Sequence, residues 1–164
     1  MQAHPVPLHT KSEMPKTEKI ARELDHPYVG TEHLLLAFMR VCTGVAGQIL
    51  SANGVEEANL YKIVDELISP VGEVTFQEKP KRSPRLEYTL EESKEEAIRF
   101  QSEAIGTEHM LLAILREPDS VATRILLTLN VNIQKIMQDT LEVLGVDIKE
   151  YQEELQETWA MYVL

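Results

Sequence analysis

Two segments of this chain repeat each other. Residues 30–40 read GTEHLLLAFMR and residues 106–116 read GTEHMLLAILR, an offset of 76. At the same offset Ala21 meets Ala97, Val45-Ala46 meets Val121-Ala122, Ile49-Leu50 meets Ile125-Leu126, and Val55 meets Val131. Agreement this far from the strongest segment marks a duplication, and a duplicated unit that cannot bury its apolar face alone folds against its copy. The chain is therefore expected to be one unit built from two similar halves, not two independent domains.

The composition decides which kind of half. Hydrophobic residues make up 43% of the chain but aromatics only 5%, so the core is built from Leu, Ile, Val, Ala and Met, which favours helices over a β-sandwich. Each copy parses into four helices. In the second, Ser83-Pro84 gives a cap followed by proline at the first helical position, and the helix runs to about Gln101. Gly106-Thr107 opens the next helix, with Thr107 read as its cap and Glu108 at its positive end. Asp119-Ser120 caps a third, and a fourth covers Ile133 to Leu144 before a stop at Gly145. The first copy follows with Thr31, then Val45 to Ala52, a stop at Asn53-Gly54, and Val55 to Ile68. Its opening helix is expected to start late, near Pro15, because an interior proline costs about 3 kcal/mol.

The fold class expected is all-α: two four-helix repeats with pseudo-twofold symmetry, plus a C-terminal amphipathic helix. The boundaries are a poorly ordered segment at 1–15, repeat 1 at 16–69, a polar linker at 70–82, repeat 2 at 83–145, and a tail at 146–164. In the tail Asp147 and Glu150 form a capping-box pattern, and Ile148, Tyr151, Leu155, Trp159 and Tyr162 make one apolar stripe.

Several function classes are disfavoured. With a formal net charge of −11 and no basic cluster, nucleic acid is not an expected partner. No apolar run approaches the length of a membrane span, and one cysteine, Cys42, makes neither an internal disulfide nor a thiolate metal site. Cytoplasmic localisation is the expectation. There is no GxxxxGK[ST] phosphate loop and no GxSxG elbow, so the chain is not expected to be an enzyme, and no cofactor or metal is expected. His33 and His109 directly follow Glu32 and Glu108, but adjacent helix residues point in different directions and no further ligand stands at metal spacing. A hydrolase using these Glu-His pairs is a remote alternative, and both histidines are read as packing groups.

The paired GTEH segments, with SVATRIL at 120–126 matching GVAGQIL at 44–50 and the SPRL opening at 83–86, resemble the double N-terminal domain of ClpC-type AAA+ unfoldases. The resemblance implies an eight-helix domain that docks substrates and adaptor proteins for a Clp ATPase ring and its peptidase. A stand-alone regulator of a Clp protease is the alternative. It further implies recognition of phosphorylated arginine on client proteins, with one pocket per repeat, where Glu32 and Glu108 meet the guanidinium and helix N-termini hold the phosphate. Thr31 and Thr107 are candidate hydroxyl contacts. Ser83 and Arg85 are expected to complete the phosphate cradle of the Glu108 pocket, whereas the first copy offers only Pro7 and His9 at those positions.

Overall fold

The computed structural model describes residues 13–40, 44–67 and 80–151, and residues 153, 156, 157 and 160 beyond them. Among these residues there are eight α-helices: α1 Glu13–Glu23, α2 Thr31–Arg40, α3 Val45–Ala52, α4 Glu57–Leu67, α5 Pro84–Arg99, α6 Thr107–Leu115, α7 Val121–Thr128 and α8 Ile133–Val143. The fold is all-α, with four helices from each copy. Pro15 is the third residue of α1, inside the first turn, where a missing N–H leaves no helical bond unmade. The described part of α1 begins at Glu13, close to the expected start near Pro15.

The GTEH helices α2 and α6 form the centre. Leu34, Leu35, Leu36, Ala37 and Phe38 of α2, and Met110, Leu111, Leu112, Ala113, Ile114 and Leu115 of α6, are all buried. A helix that is apolar nearly all round belongs inside, and the amphipathic α1, α4, α5 and α8 cover these two. Fully burying side chains of this size stabilises by about 1.5–3 kcal/mol each, so the two leucine-rich segments supply much of the hydrophobic driving force.

Turns end the helices where the sequence requires them. Gly54 and Gly145 adopt positive φ of 90° and 75° just past α3 and α8. The loops after α1 and α5 close through Asp25 and Gln101, equivalent positions in the two copies, with φ of 56° and 54°. Asp is among the residue types that enter the left-handed region, and Gln101 is held there by the turn in which the Ser102 N–H donates to the Ala97 carbonyl at 2.9 Å.

One element was not anticipated. Lys81–Arg82, at the end of the expected linker, pairs in parallel with Tyr28–Val29, joining strands β1 (Tyr28–Val29) and β2 (Lys81–Arg82) in the registers Tyr28 to Lys81 and Val29 to Arg82. The ladder continues as the Ser83 N–H donates to the Val29 carbonyl at 2.8 Å. The start of the second repeat is therefore clamped onto the GTEH loop of the first. The expected tail helix falls largely outside the described residues. At its start the chain makes a short 3-10 turn over Ile148–Tyr151, and Asp147 Oδ1 accepts the Lys149 N–H at 3.0 Å.

Candidate functional site: the two GTEH turns

Each residue of GTEH has a separate structural task, and both copies perform all four. Gly106 is the N-cap of α6, and the Glu108 carboxylate folds back over it. In the first copy a Cβ on Gly30 would lie 2.6 Å from Glu32 Oε2, so a side chain there would displace the carboxylate from its place over the turn. The histidine, at the third helical position, accepts the glycine N–H on Nδ1 at 2.8 Å in both copies. It fills the place that Glu or Gln takes in a capping box.

That bond fixes the imidazole state. With Nδ1 accepting, Nε2 carries the proton: His33 donates it to His26 Nδ1 at 2.7 Å, and His109 to Ser102 Oγ at 2.9 Å. Burial, with the neighbouring His26 adding to it, pushes His33 down to about 3. Burial also lowers His109, against the pull of Glu108. The approach of Glu32 Oε1 to His33 Nδ1 at 3.5 Å is therefore a contact with a neutral ring, not an ion pair. Both ring nitrogens are engaged in each copy. They act as packing and capping groups, which leaves neither free to act as a general base.

The threonines act across the repeats. Thr107 Oγ1 accepts the Ala46 N–H of α3 at 3.0 Å, and Thr31 Oγ1 accepts the Ala122 N–H of α7 at 3.2 Å. Thr107 does not cap its own helix, as the sequence had implied; it caps the third helix of the other copy. The substitution is physically necessary at α3, whose own N-cap is Gly44 and offers no side-chain oxygen. At α7, Ser120 Oγ already accepts from Thr123 N.

The glutamates differ in exposure. Glu108 is 19% exposed and Glu32 only 2%. Glu32 Oε1 is buried with no hydrogen-bond partner. Burial pushes the Glu32 carboxyl up, partly offset by its own backbone N–H, and the Glu32 charge adds to the burial that raises the Tyr28 phenol.

The structure assembles the expected site residues in a different grouping. Ser83 is the N-cap of α5, with Oγ accepting from Leu86 N, and its backbone is bonded to Val29, one residue before Gly30. It therefore stands beside the Glu32 turn, not the Glu108 turn. Arg85 Nη1 meets Glu117 Oε2 at 3.1 Å, beyond the C-terminus of α6 and about 15 Å along the helix from Thr107. Thr31 joins the same end through Ala122. Glu32, Thr31, Ser83 and Arg85 thus gather at one end of the molecule, while Glu108 and Thr107 gather with the start of α3 at the other. Arg82, ion-paired with Glu18 at 3.6 Å and Glu87 at 3.9 Å, adds a second cation near the α5 start. A shallow cavity next to this start is lined by Ser83, Pro84, Arg85 and Tyr88. Pro7 and His9 lie outside the described residues. Among the described residues no group of three His, Cys, Asp or Glu side chains is placed to hold a metal ion, and no single helix is long and apolar enough to cross a membrane.

Known proteins share this architecture. The chain is 36% identical over 129 residues to the chaperone protein ClpB of Oceanobacillus iheyensis, covering 79% of this chain and 16% of that protein. It is 36% identical over 125 residues to the negative regulator of genetic competence ClpC/MecB of Bacillus subtilis, covering 76% of this chain and 15% of the relative. The chain thus spans about a sixth of the length of these curated relatives. In fold it is similar to the ClpV N-domain solved in complex with a VipB peptide, with a TM-score of 0.59 at 18% identity, covering 88% of this chain and 97% of that one. The family described as the Clp repeat (R) N-terminal domain matches residues 9–129, and the chain belongs to that family.

Proposed function

We propose that this chain is the substrate- and adaptor-docking domain of a ClpC-like AAA+ unfoldase, and that its GTEH turns recognise phosphorylated arginine on client proteins. The observation that carries the ligand chemistry is Glu32. A buried carboxylate oxygen without a donor is costly, by about 1–3 kcal/mol or more for a charged group. A guanidinium supplies the missing donors and the counter-charge in one planar group.

The neighbourhood suits the other half of the ligand. The N-terminus of α5 turns its positive dipole end toward this site, with Pro84 lacking an N–H and those of Leu86 and Glu87 bonded to Ser83, and Arg85 and Arg82 stand at the same end to meet an anion. Guanidinium site and phosphate site are thus adjacent, although they come from different repeats. Glu108, more exposed, serves a second arginine-directed site, with Thr107 and the α3 start beside it. The better-equipped phosphate cradle belongs with Glu32, the reverse of the expectation from the sequence. The ClpV N-domain bound to a VipB peptide supports the wider reading, a fold of this kind used to hold a protein segment.

Titration with a phosphoarginine peptide and with its unmodified arginine counterpart tests this. The phosphorylated peptide is expected to bind, and Glu32→Ala to weaken it by about 2 kcal/mol or more, roughly thirtyfold in Kd. Glu108→Ala is expected to remove a second, separable binding event. Equal and negligible binding of both peptides would sink the phosphoarginine reading, while leaving the family assignment in place.

A further inference from the structure

Strands β1 and β2 run side by side into the Glu32 turn, and their register puts Tyr28 directly opposite Lys81. Opposed residues of a parallel pair stand on the same face, with the strands about 4.8 Å apart, so the phenol ring and the lysine stem are neighbours. Tyr28 is partly exposed and Lys81 exposed, whereas Val29, on the other face, is buried. The Tyr28 ring meets the His33 ring edge-on, with centroids 6.2 Å apart and planes at 76°. Glu32 Oε1 lies 3.5 Å from Nδ1 of that same imidazole, and the Glu32 charge reaches the Tyr28 phenol, adding to the burial that raises it. Carboxylate and aromatic ring therefore flank one histidine.

Charge sets Lys81 apart from the other cations at this end. Arg82 shares its charge with Glu18 and Glu87, and Arg85 meets Glu117. Among the described residues Lys81 has no carboxylate partner, in a chain of net charge −11. The pair does not recur: at the 76-residue offset Tyr28 meets Ala104 and Lys81 meets Pro5. The Glu108 turn thus has neither the ring nor the ammonium at the equivalent positions.

We propose that Tyr28 and Lys81 form the specificity element of the Glu32 site. The Tyr28 ring lies along the guanidinium that Glu32 pairs with, and the Lys81 ammonium meets the phosphoryl group. This rests on the arginine reading of Glu32 and adds to it an inequality between the repeats. A ring face attracts a guanidinium whether or not it carries a phosphoryl group, and a carboxylate alone favours the unmodified, more cationic side chain. An ammonium is a point charge that bonds phosphoryl oxygens and repels an unmodified guanidinium. The Glu32 site therefore selects the phosphorylated side chain through Lys81, while the Glu108 site takes arginine without that selection.

Calorimetric titration of the full chain tests it, with two peptides that differ only in the phosphoryl group on one arginine. A Glu108→Ala background leaves the Glu32 site alone. There Lys81→Gln is expected to weaken the phosphorylated peptide about tenfold without weakening the unmodified one, and Lys81→Arg to restore most of the loss. Tyr28→Leu is expected to weaken the phosphorylated peptide about threefold and Tyr28→Phe to leave it unchanged, since the ring and not the hydroxyl makes the contact. The δ-methylene protons of the bound arginine are expected to move upfield in the Tyr28 ring current, a signal that needs no variant at Tyr28. In a Glu32→Ala background Lys81→Gln is expected to change nothing. Equal weakening of both peptides by Lys81→Gln, phosphopeptide binding that survives it, or a Tyr28→Phe loss as large as that of Tyr28→Leu overturns the proposal and leaves the Glu32 site standing. No binding of the phosphorylated peptide in the Glu108→Ala background removes the Glu32 reading and this one with it.

Discussion

Thr107→Val keeps the shape of the side chain and removes one oxygen. That oxygen is the acceptor for the Ala46 N–H at the start of α3, in the other repeat. The bond is buried, and Gly44 at the α3 N-cap has no side chain to take over. Loss of a helix cap costs about 0.5–2 kcal/mol, and a buried N–H left without a partner costs about 1–3 kcal/mol. These are two descriptions of the same loss, so they are not added, and about 1–2 kcal/mol is the expectation. The mirror-image Thr31→Val removes the acceptor for Ala122 N–H at α7, a longer bond at a helix where Ser120 already caps Thr123. Its cost is expected at about 0.5–1 kcal/mol. Urea unfolding measures both, through the shift in midpoint at constant m-value. For a chain of this length each kcal/mol lowers Tm by about 2–4 °C. A midpoint for Thr107→Val within error of the parent refutes the cross-repeat cap, and a larger loss for Thr31→Val refutes the argument from redundancy.

Three further outcomes follow from the site. Gly30→Ala puts a methyl group against the Glu32 carboxylate and swings it off its preferred rotamer, at an expected cost of about 0.5–1.5 kcal/mol; a double-mutant cycle with Glu32→Ala should recover most of that, since the φ of this turn is not in question. Glu32→Gln is expected to stabilise the chain at pH 7 by about 0.5–2 kcal/mol while weakening arginine binding, because burial holds the Glu32 carboxyl above its usual value and its ionisation therefore counts against folding. That gain should be present above the folded-state pKa and fade as the pH falls through it, in a thermal-melt series. His33 and His26 work in the opposite direction: both are lowered by burial, His33 to about 3, so their contribution is complete above the unfolded value of 6.5 and is lost as the pH falls below it. Melts between pH 7 and 5 should show the loss, and His33→Gln should flatten it.

The architecture was legible because it depends on local signals. The 76-residue offset gave the duplication, and Ser83, Ser120, Gly54 and Gly145 marked helix ends by backbone rules that need no tertiary context. The site was only half legible. Thr31 and Thr107 were read as caps of their own helices, a sound reading for a threonine after glycine, but their acceptors' targets lie 91 and 61 residues away in sequence. Assigning Ser83 and Arg85 to Glu108 followed from treating each copy as self-contained. The Tyr28–Val29 and Lys81–Arg82 pairing crosses the copies, and two-residue strands inside a polar connector leave no periodicity to find. The histidines were rightly read as packing groups. Their second role, accepting the glycine N–H, was missed because that place is usually filled by Glu or Gln. The sequence set Glu108 apart by the Ser83 and Arg85 expected beside it, whereas burial sets Glu32 apart: 2% exposed against 19% for Glu108.

The central claim is that the Glu32 turn and the α5 N-terminus form one arginine-directed site built from both repeats. Amide chemical-shift mapping during titration with a phosphoarginine peptide tests it most directly. The account predicts that residues 29–33 and 83–87 shift together with one apparent Kd, separately from residues 44–46 and 106–109. Joint titration of 83–87 with 106–109, or no movement at 29–33 while the peptide binds, would contradict it.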